Sequence, residues 1–154
     1  MSSTTSFARA RLLALVIPAA LLAGAYISQY VFGLFPCEMC WWQRWPHFAA
    51  VALAGLGFVV APKRMWVALA ALAIIASGAI GAFHAGVEYG WWEGITGCTS
   101  HAPAGGDPLE AVLNSPLIRC DVAPWTLLGI SLAGWNFLIS TFGGLAVLAL
   151  LAKK

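Results

Sequence analysis

The chain has 154 residues, of which 61% are hydrophobic and 9% are charged, and its formal net charge at pH 7 is +2. Soluble domains carry about 25% charged residues, so this chain cannot cover a water-facing surface and is not an ordinary soluble protein. The small net charge and the lack of a basic stripe also argue against a nucleic-acid partner. We expect residues 1–154 to form a single membrane domain with lipid as its main solvent.

Four apolar stretches follow one another along the chain, and each is long enough to cross the bilayer as a helix of about 20 residues. They cover about residues 12–35, 41–61, 65–87 and 125–152. The first stretch is longer than the roughly 7–15 apolar residues of a signal peptide, so we expect it to be retained. The predicted fold class is an all-α membrane protein, a four-transmembrane-helix bundle.

The basic residues predict how this bundle sits in the membrane. Six of the eight fall on one side of a four-span arrangement, namely Arg9, Arg11, Lys63, Arg64, Lys153 and Lys154. Arg44 and Arg119 fall on the opposite side, which the positive-inside rule assigns to the exterior. We therefore expect both termini to be cytoplasmic, with two extracytoplasmic loops at about residues 36–40 and 88–124.

The four cysteines all fall in these two extracytoplasmic loops. Cys37 and Cys40 lie in the short loop, and Cys98 and Cys120 lie in the long one. In a bacterium this compartment is oxidising, so disulfides can persist there. Four cysteines allow three pairings, and one pair in each loop is the simplest arrangement.

The motif Cys37-Glu38-Met39-Cys40 opens the second predicted helix. A helix N-terminus and the CxxC spacing both favour the thiolate, which is the attacking species in disulfide exchange. Redox chemistry, a structural disulfide and a zinc site are all compatible with this motif. The long-loop cysteines are too far apart in sequence for the closely spaced ligand pairs typical of zinc, so we expect no metal. The carboxylate of Glu38 is expected to raise the pKa values of the two neighbouring thiols.

Arg44 and His47 follow Cys40 by four and seven residues, so all three share one face of the helix. An arginine at a membrane boundary is costly and usually functional. Its guanidinium can stabilise a thiolate at Cys40 or polarise a carbonyl of an electron acceptor. The alternative is that it reaches a lipid phosphate. On the third helix, His84 and Glu88 share a face and either border the acceptor or only pack.

The run Pro36-Cys37-x-x-Cys40-x-x-x-Arg44 resembles the membrane thiol oxidases of the disulfide bond formation protein B (DsbB) family. Three further stretches are similar to members of that family, namely Phe83–Glu88, Cys120–Trp125 and Leu128–Asn136. The order of the parts also matches, because a short cysteine loop is followed by a third span and a long loop with two more cysteines. The similarity covers about residues 10–150.

The resemblance implies a thiol:quinone oxidoreductase of the bacterial inner membrane whose active site faces the periplasm. Such an enzyme reoxidises a soluble thioredoxin-fold oxidase of the DsbA type and passes the electrons to a membrane quinone, ubiquinone or menaquinone. In the family pattern, Cys98 is attacked by the soluble partner and Cys120 is its pair mate. Cys37 exchanges with that pair, Cys40 lies next to the quinone, and Arg44 is associated with the quinone.

Two other functions remain compatible with the sequence. A vitamin K epoxide reductase-like enzyme also couples thiols to quinones, but its loop cysteines precede the CxxC motif, whereas here the motif comes first. The second alternative is a non-enzymatic four-span protein in which both cysteine pairs form structural disulfides. Mild reductant and added quinone would distinguish a structural pair, which resists the reductant, from a redox-active pair, which responds to quinone.

Overall fold

The computed structural model of the protein describes residues 3–96, 99–100 and 117–153. Within these ranges the chain forms four helices, α1 Ser3–Tyr30, α2 Glu38–Val59, α3 Lys63–Glu88 and α4 Leu132–Ala152. It also forms two antiparallel ribbons of very short strands, in which β1 Thr99–Ser100 pairs with β2 Leu117–Ile118, and β3 Thr126–Leu127 pairs with β4 Ile130–Ser131. Cys98 lies outside the described residues.

The four helices form an up-and-down bundle, in which both α1 and α3 pack against α2 and α4. One apolar cluster joins the beginnings of α1 and α3 to the ends of α2 and α4, so neighbouring helices are antiparallel. It contains Ala10, Ala14, Ala54, Val67, Ala70, Ala71, Val147 and Leu151. Arg64 donates a hydrogen bond to the carbonyl oxygen of Leu151 at this end, and the Arg11 guanidinium lies 4.2 Å from the ring centre of Phe58. Basic residues thus gather at one end of the bundle.

Three of the helices are long and apolar enough to cross a membrane, and they span Thr4–Tyr30, Lys63–Glu88 and Leu132–Ala152. The prediction of a mostly helical protein with four helices is therefore confirmed. The remaining helix, α2, has an apolar second half, but its first half contains Gln43, Arg44 and His47. That α2 crosses the membrane, and that both termini are cytoplasmic, stay predictions.

Two helix ends differ from the predicted spans. The first span was predicted to reach residue 35, but α1 ends at Tyr30, and the backbone turns through Gly33 at a φ of 68°. The fourth span was predicted to begin at residue 125, but residues 126–131 form the β3–β4 ribbon, whose turn has positive φ at Leu128 and Gly129. Ser131 then caps α4 by accepting a hydrogen bond from the Gly134 amide at 3.1 Å. Apolar content alone cannot distinguish such a ribbon from a helix.

Small residues allow α3 and α4 to approach closely beside the polar interior of the bundle. A Cβ atom placed on Gly81 of α3 would lie 3.0 Å from the carbonyl oxygen of Ala133 and 3.1 Å from the amide nitrogen of Phe137. Both neighbours are backbone atoms of α4, which cannot rotate away as the end of a side chain can. The absence of a side chain at Gly81 therefore sets the separation of the two helices.

We expect Gly81→Ala to destabilise the protein by about 1–3 kcal/mol, because overpacking a tight contact displaces backbone. The matched control is Gly55→Ala in α2, where an added Cβ meets no atom within 4 Å. Thermal unfolding of both variants in the same detergent measures the difference. Equal melting temperatures for the two variants would contradict the close approach of α3 and α4.

Candidate redox site

The CxxC motif lies at the beginning of α2, with Cys37 as the N-cap residue. Its sulfur accepts a hydrogen bond from the backbone amide of Cys40 at 3.3 Å. The two sulfur atoms lie 2.9 Å apart, and both side chains are free thiols. The unpaired amides and the dipole of a helix N-terminus favour negative charge on such sulfurs. The motif is therefore placed where a thiolate can form and exchange.

Cys120, from the long loop, reaches the same place. The ligand atoms of Cys37, His84 and Cys120 all lie within 4.8 Å of one another. Cys120 is buried and packs in an apolar cluster with Cys37, Met39 and Val87, and its sulfur accepts a hydrogen bond from the Thr96 hydroxyl at 3.2 Å. The structure thus brings together three of the four predicted cysteines, Cys37, Cys40 and Cys120, while Cys98 lies outside the described residues.

The surroundings of Cys37 and Cys120 favour their protonated forms. The hydrogen bond with Cys40, together with burial, raises the pKa of Cys37 to about 12. Burial raises the pKa of Cys120 as well, against the lowering effect of the Thr96 hydroxyl. Glu38 was expected to raise the pKa values of both thiols. The pKa of Cys37 is raised, although the leading cause is the hydrogen bond with Cys40, but the expectation is wrong for Cys40, because the hydrogen bond with Cys37 lowers the pKa of Cys40. Cys37 is therefore the member of the CxxC pair that retains its proton.

Arg44 is turned into the bundle, where only 6% of its surface is exposed. Its guanidinium donates hydrogen bonds to the Gln29 side chain at 2.7 Å and to the Ala25 carbonyl at 3.3 Å. It also lies 5.0 Å from the ring centre of Tyr26 and 4.9 Å from that of Trp41. These contacts direct it towards α1 and the ring of Trp41. Among the described residues, no carboxylate forms an ion pair with it.

A cavity of about 240 Å³ lies between α1, the beginning of α2 and the beginning of α4. Its polar lining comes from Ser28, Cys40, Gln43, Arg44, His47 and Asn136. The rest is mostly apolar, with contributions from Ala20, Leu21, Leu22, Leu34, Phe35, Leu132 and Trp135. Ligand sites in proteins have this mixture of apolar walls with a few polar groups. A buried cation without a carboxylate partner suits a ligand whose oxygen atoms accept hydrogen bonds or gain negative charge.

A second cavity lies on the other side of the CxxC motif, against the segments at residues 33–35 and 118–124. Cys40 lines both cavities, whereas Cys37, His84 and Glu88 line only the second. The motif therefore separates a space facing the long loop from a space between the helices.

Two polar side chains that support the site were not predicted from the sequence. Gln43 and Asn136 are hydrogen-bonded to each other at 2.8 Å, and they connect His84 to His47. Gln43 precedes Arg44 and lies three residues after Cys40, so its position on the motif face was a signal. His84 was expected either to border an electron acceptor or only to pack. In the structure it lies beside the cysteines, because its Nε2 atom is 3.6 Å from the sulfur of Cys37.

Comparison with known proteins agrees with the geometry. The chain matches the family model described as Disulfide bond formation protein DsbB over residues 8–152. It is 35% identical to the Disulfide bond formation protein B of Verminephrobacter eiseniae (strain EF01-2), in an alignment covering 93% of this chain and 86% of that protein.

Two further relatives carry the same name. The protein of Acidovorax sp. (strain JS42) is 32% identical, with 93% of this chain and 87% of that protein covered. The protein of Azoarcus sp. (strain BH72) is 34% identical, with 86% and 83% covered. No solved structure gives a significant match. The family model and these identities extend over nearly the whole chain, which therefore belongs to the DsbB family of disulfide bond formation proteins.

Proposed function

We propose that the protein is a thiol:quinone oxidoreductase that reoxidises a soluble thioredoxin-fold oxidase of the DsbA type and passes the electrons to a membrane quinone, ubiquinone or menaquinone. The observation that carries the proposal is the position of Cys37, whose sulfur lies beside those of both Cys40 and Cys120. In such proteins the soluble oxidase, the membrane enzyme and the quinone together keep the bacterial periplasm oxidising. We place the cysteine end of the bundle on the periplasmic side of the inner membrane, because the basic residues gather at the other end.

Electrons enter by disulfide exchange in the long loop. A thiolate of the partner attacks Cys98 in the Cys98–Cys120 disulfide, a partner–Cys98 bond forms, and Cys120 leaves as a thiolate. The partner's second thiolate then attacks its own sulfur in the mixed disulfide. The partner leaves as a disulfide and Cys98 is released as a thiolate. The partner has been oxidised by two electrons, and the loop pair has been reduced by two.

The two loops then exchange across the contact at Cys37. The thiolate of Cys120 attacks the sulfur of Cys37 in the Cys37–Cys40 disulfide, a Cys37–Cys120 bond forms, and Cys40 leaves as a thiolate. Cys98 next attacks Cys120, which restores the loop disulfide and leaves Cys37 and Cys40 reduced. The short distance between Cys37 and Cys120 supports this order, because the attacking sulfur needs only a small movement. A pair of purely structural disulfides would not require the two loops to meet.

The cavity lined by Cys40 and Arg44 fits a quinone ring, since its walls are mostly apolar and no carboxylate in the described part of the chain forms an ion pair with its cation. A bound quinone accepts two electrons and two protons. Arg44 would stabilise negative charge on Cys40 and on a ring oxygen, because charge is weakly screened in a mostly apolar space. The apolar residues of α1 and α4 would hold the ring and exclude water.

We expect Arg44→Ala to fold and to retain both disulfides, yet to reduce quinone about 10²-fold more slowly or worse, because one preorganised charge is lost. Arg44→Lys should recover only part of the rate, since an ammonium lacks the planar fork of a guanidinium. The measurement is steady-state quinone reduction with the reduced partner as donor, at several quinone concentrations. Lys63→Ala, at the opposite end of the bundle, is the control. A wild-type rate and quinone dependence in Arg44→Ala would remove Arg44 from the site.

The partner-exchange step makes a separate prediction about the long loop. In Cys120→Ser the Cys98 thiolate has no loop partner and can attack the disulfide of the oxidised soluble oxidase, which releases one thiolate of that oxidase. A mixed disulfide between Cys98 and the oxidase, which Cys120 can no longer displace, should then accumulate on non-reducing gels. Cys98→Ser should form no such complex. Mass spectrometry of the trapped species identifies the linked cysteine. A complex joined through Cys120 or Cys37 would reverse the order of the exchange.

A further inference from the structure

A continuous chain of hydrogen bonds runs through the bundle from His47, beside the cavity, to the sulfur of Cys37. His47 Nε2 lies 2.9 Å from Asn136 Oδ1, and Asn136 Nδ2 lies 2.8 Å from Gln43 Oε1. Gln43 Nε2 lies 2.9 Å from His84 Nδ1, and His84 Nε2 lies 3.6 Å from the sulfur of Cys37. These side chains belong to three different helices, so the chain fastens α2, α3 and α4 together.

Backbone carbonyl groups determine which side chain donates in each of these hydrogen bonds. Gln43 Nε2 lies 3.2 Å from the carbonyl oxygen of Met39, which can only accept a hydrogen bond. Asn136 Nδ2 lies 3.2 Å from the carbonyl oxygen of Ser77, which has the same limitation. Neither amide can be reversed without placing two acceptors against each other. Gln43 therefore donates to His84, and Asn136 donates to Gln43.

Because Gln43 is the donor in its hydrogen bond with His84, this bond determines which ring nitrogen of His84 carries the proton. Because Nδ1 accepts a hydrogen bond from Gln43, it is unprotonated, and the neutral ring carries its proton on Nε2. The acceptors around Nε2 agree with this, since it lies 3.2 Å from the Cys120 carbonyl oxygen and 3.8 Å from a carboxylate oxygen of Glu88. In this form His84 donates towards the sulfur of Cys37 and has no lone pair there to accept a proton.

We propose that Gln43 is a positioning residue that holds His84 in the Nε2–H form, so that His84 donates a hydrogen bond to the exchanging sulfurs instead of acting as their base. The proposal rests on the proposed function, in which a Cys37–Cys120 bond forms as the Cys37–Cys40 bond breaks. Negative charge moves from the sulfur of Cys120 to that of Cys40, and no proton needs to move. A fixed donor beside the central sulfur stabilises the charge while it is shared.

The same tautomer makes the cysteines a poor metal site. Cys37, His84 and Cys120 have the spacing of three ligands, but a metal needs an unprotonated Nε2. A ligating histidine usually donates its other N–H to an acceptor, whereas Gln43 presents a donor to Nδ1. Gln43 thus protects the reduced cysteines from soft metal ions such as Zn²⁺. Replacing Gln43 by a residue that accepts a hydrogen bond should therefore create affinity for such ions.

The first measurement is the tautomer of His84, by nitrogen NMR of histidine-labelled reduced protein in lipid nanodiscs, with a His84→Gln sample for assignment. The wild-type protein should carry the proton on Nε2. In Gln43→Glu the introduced carboxylate loses the hydrogen bond to the Met39 carbonyl oxygen and turns from it, and it accepts from Nδ1, so the proton should move to Nδ1. In Gln43→Met, which is similar in length and offers no donor, a mixture is expected. His47 is the internal control, because its bond to Asn136 does not require an amide at position 43.

The second measurement is Zn²⁺ affinity of the reduced protein, where Gln43→Glu should bind at least about tenfold more tightly than wild type, the range typical of groups that orient a metal ligand. Single-turnover oxidation of the partner should slow in both variants. A wild-type proton on Nδ1, or Gln43→Glu with unchanged tautomer and Zn²⁺ affinity, would overturn the role of Gln43. A wild-type protein that cannot oxidise a dithiol partner would instead refute the proposed function, whatever the tautomer.

Discussion

The structure depends on one constraint, which is that polar groups inside an apolar bundle must find their partners within the protein, because lipid offers none. Gln43 is hydrogen-bonded to Met39, His84 and Asn136. Arg44 contacts oxygen atoms of α1 and two aromatic rings. These bonds tie α2 to all three other helices just beyond the CxxC motif. The position of the cysteines therefore follows from the satisfaction of buried polar groups.

Cys37 is the point at which the two halves of the site meet. Its sulfur has Cys40 on one side, and Cys120 with His84 on the other. The hydrogen bond to Cys40 that raises its pKa to about 12 keeps a proton on this sulfur in the reduced pair. The remaining sulfur, Cys40, borders the cavity that also contains Arg44. Negative charge is thereby directed towards the side of the motif where a fixed cation lies.

The sequence was sufficient for the features that follow from composition and spacing. Apolar length predicted four helices, and the four-residue step from Cys40 placed Arg44 on the motif face. Cysteine spacing could not show that Cys120 approaches Cys37, since that contact depends on the path of the long loop. Hydropathy missed the β3–β4 ribbon, whose residues are as apolar as a helix. The roles of Gln43 and Asn136 were also not predicted, because the hydrogen bonds of a buried amide depend on partners that are distant in sequence.

The most direct test of the account is the oxidation of a reduced thioredoxin-fold dithiol partner by the purified protein, with and without quinone. Four cysteines hold at most two disulfides, so without quinone the reaction should stop after no more than two partner molecules per protein. With quinone it should continue, and each partner oxidised should yield one reduced quinone. Sustained oxidation without quinone, or no further turnover when quinone is added, would contradict the account.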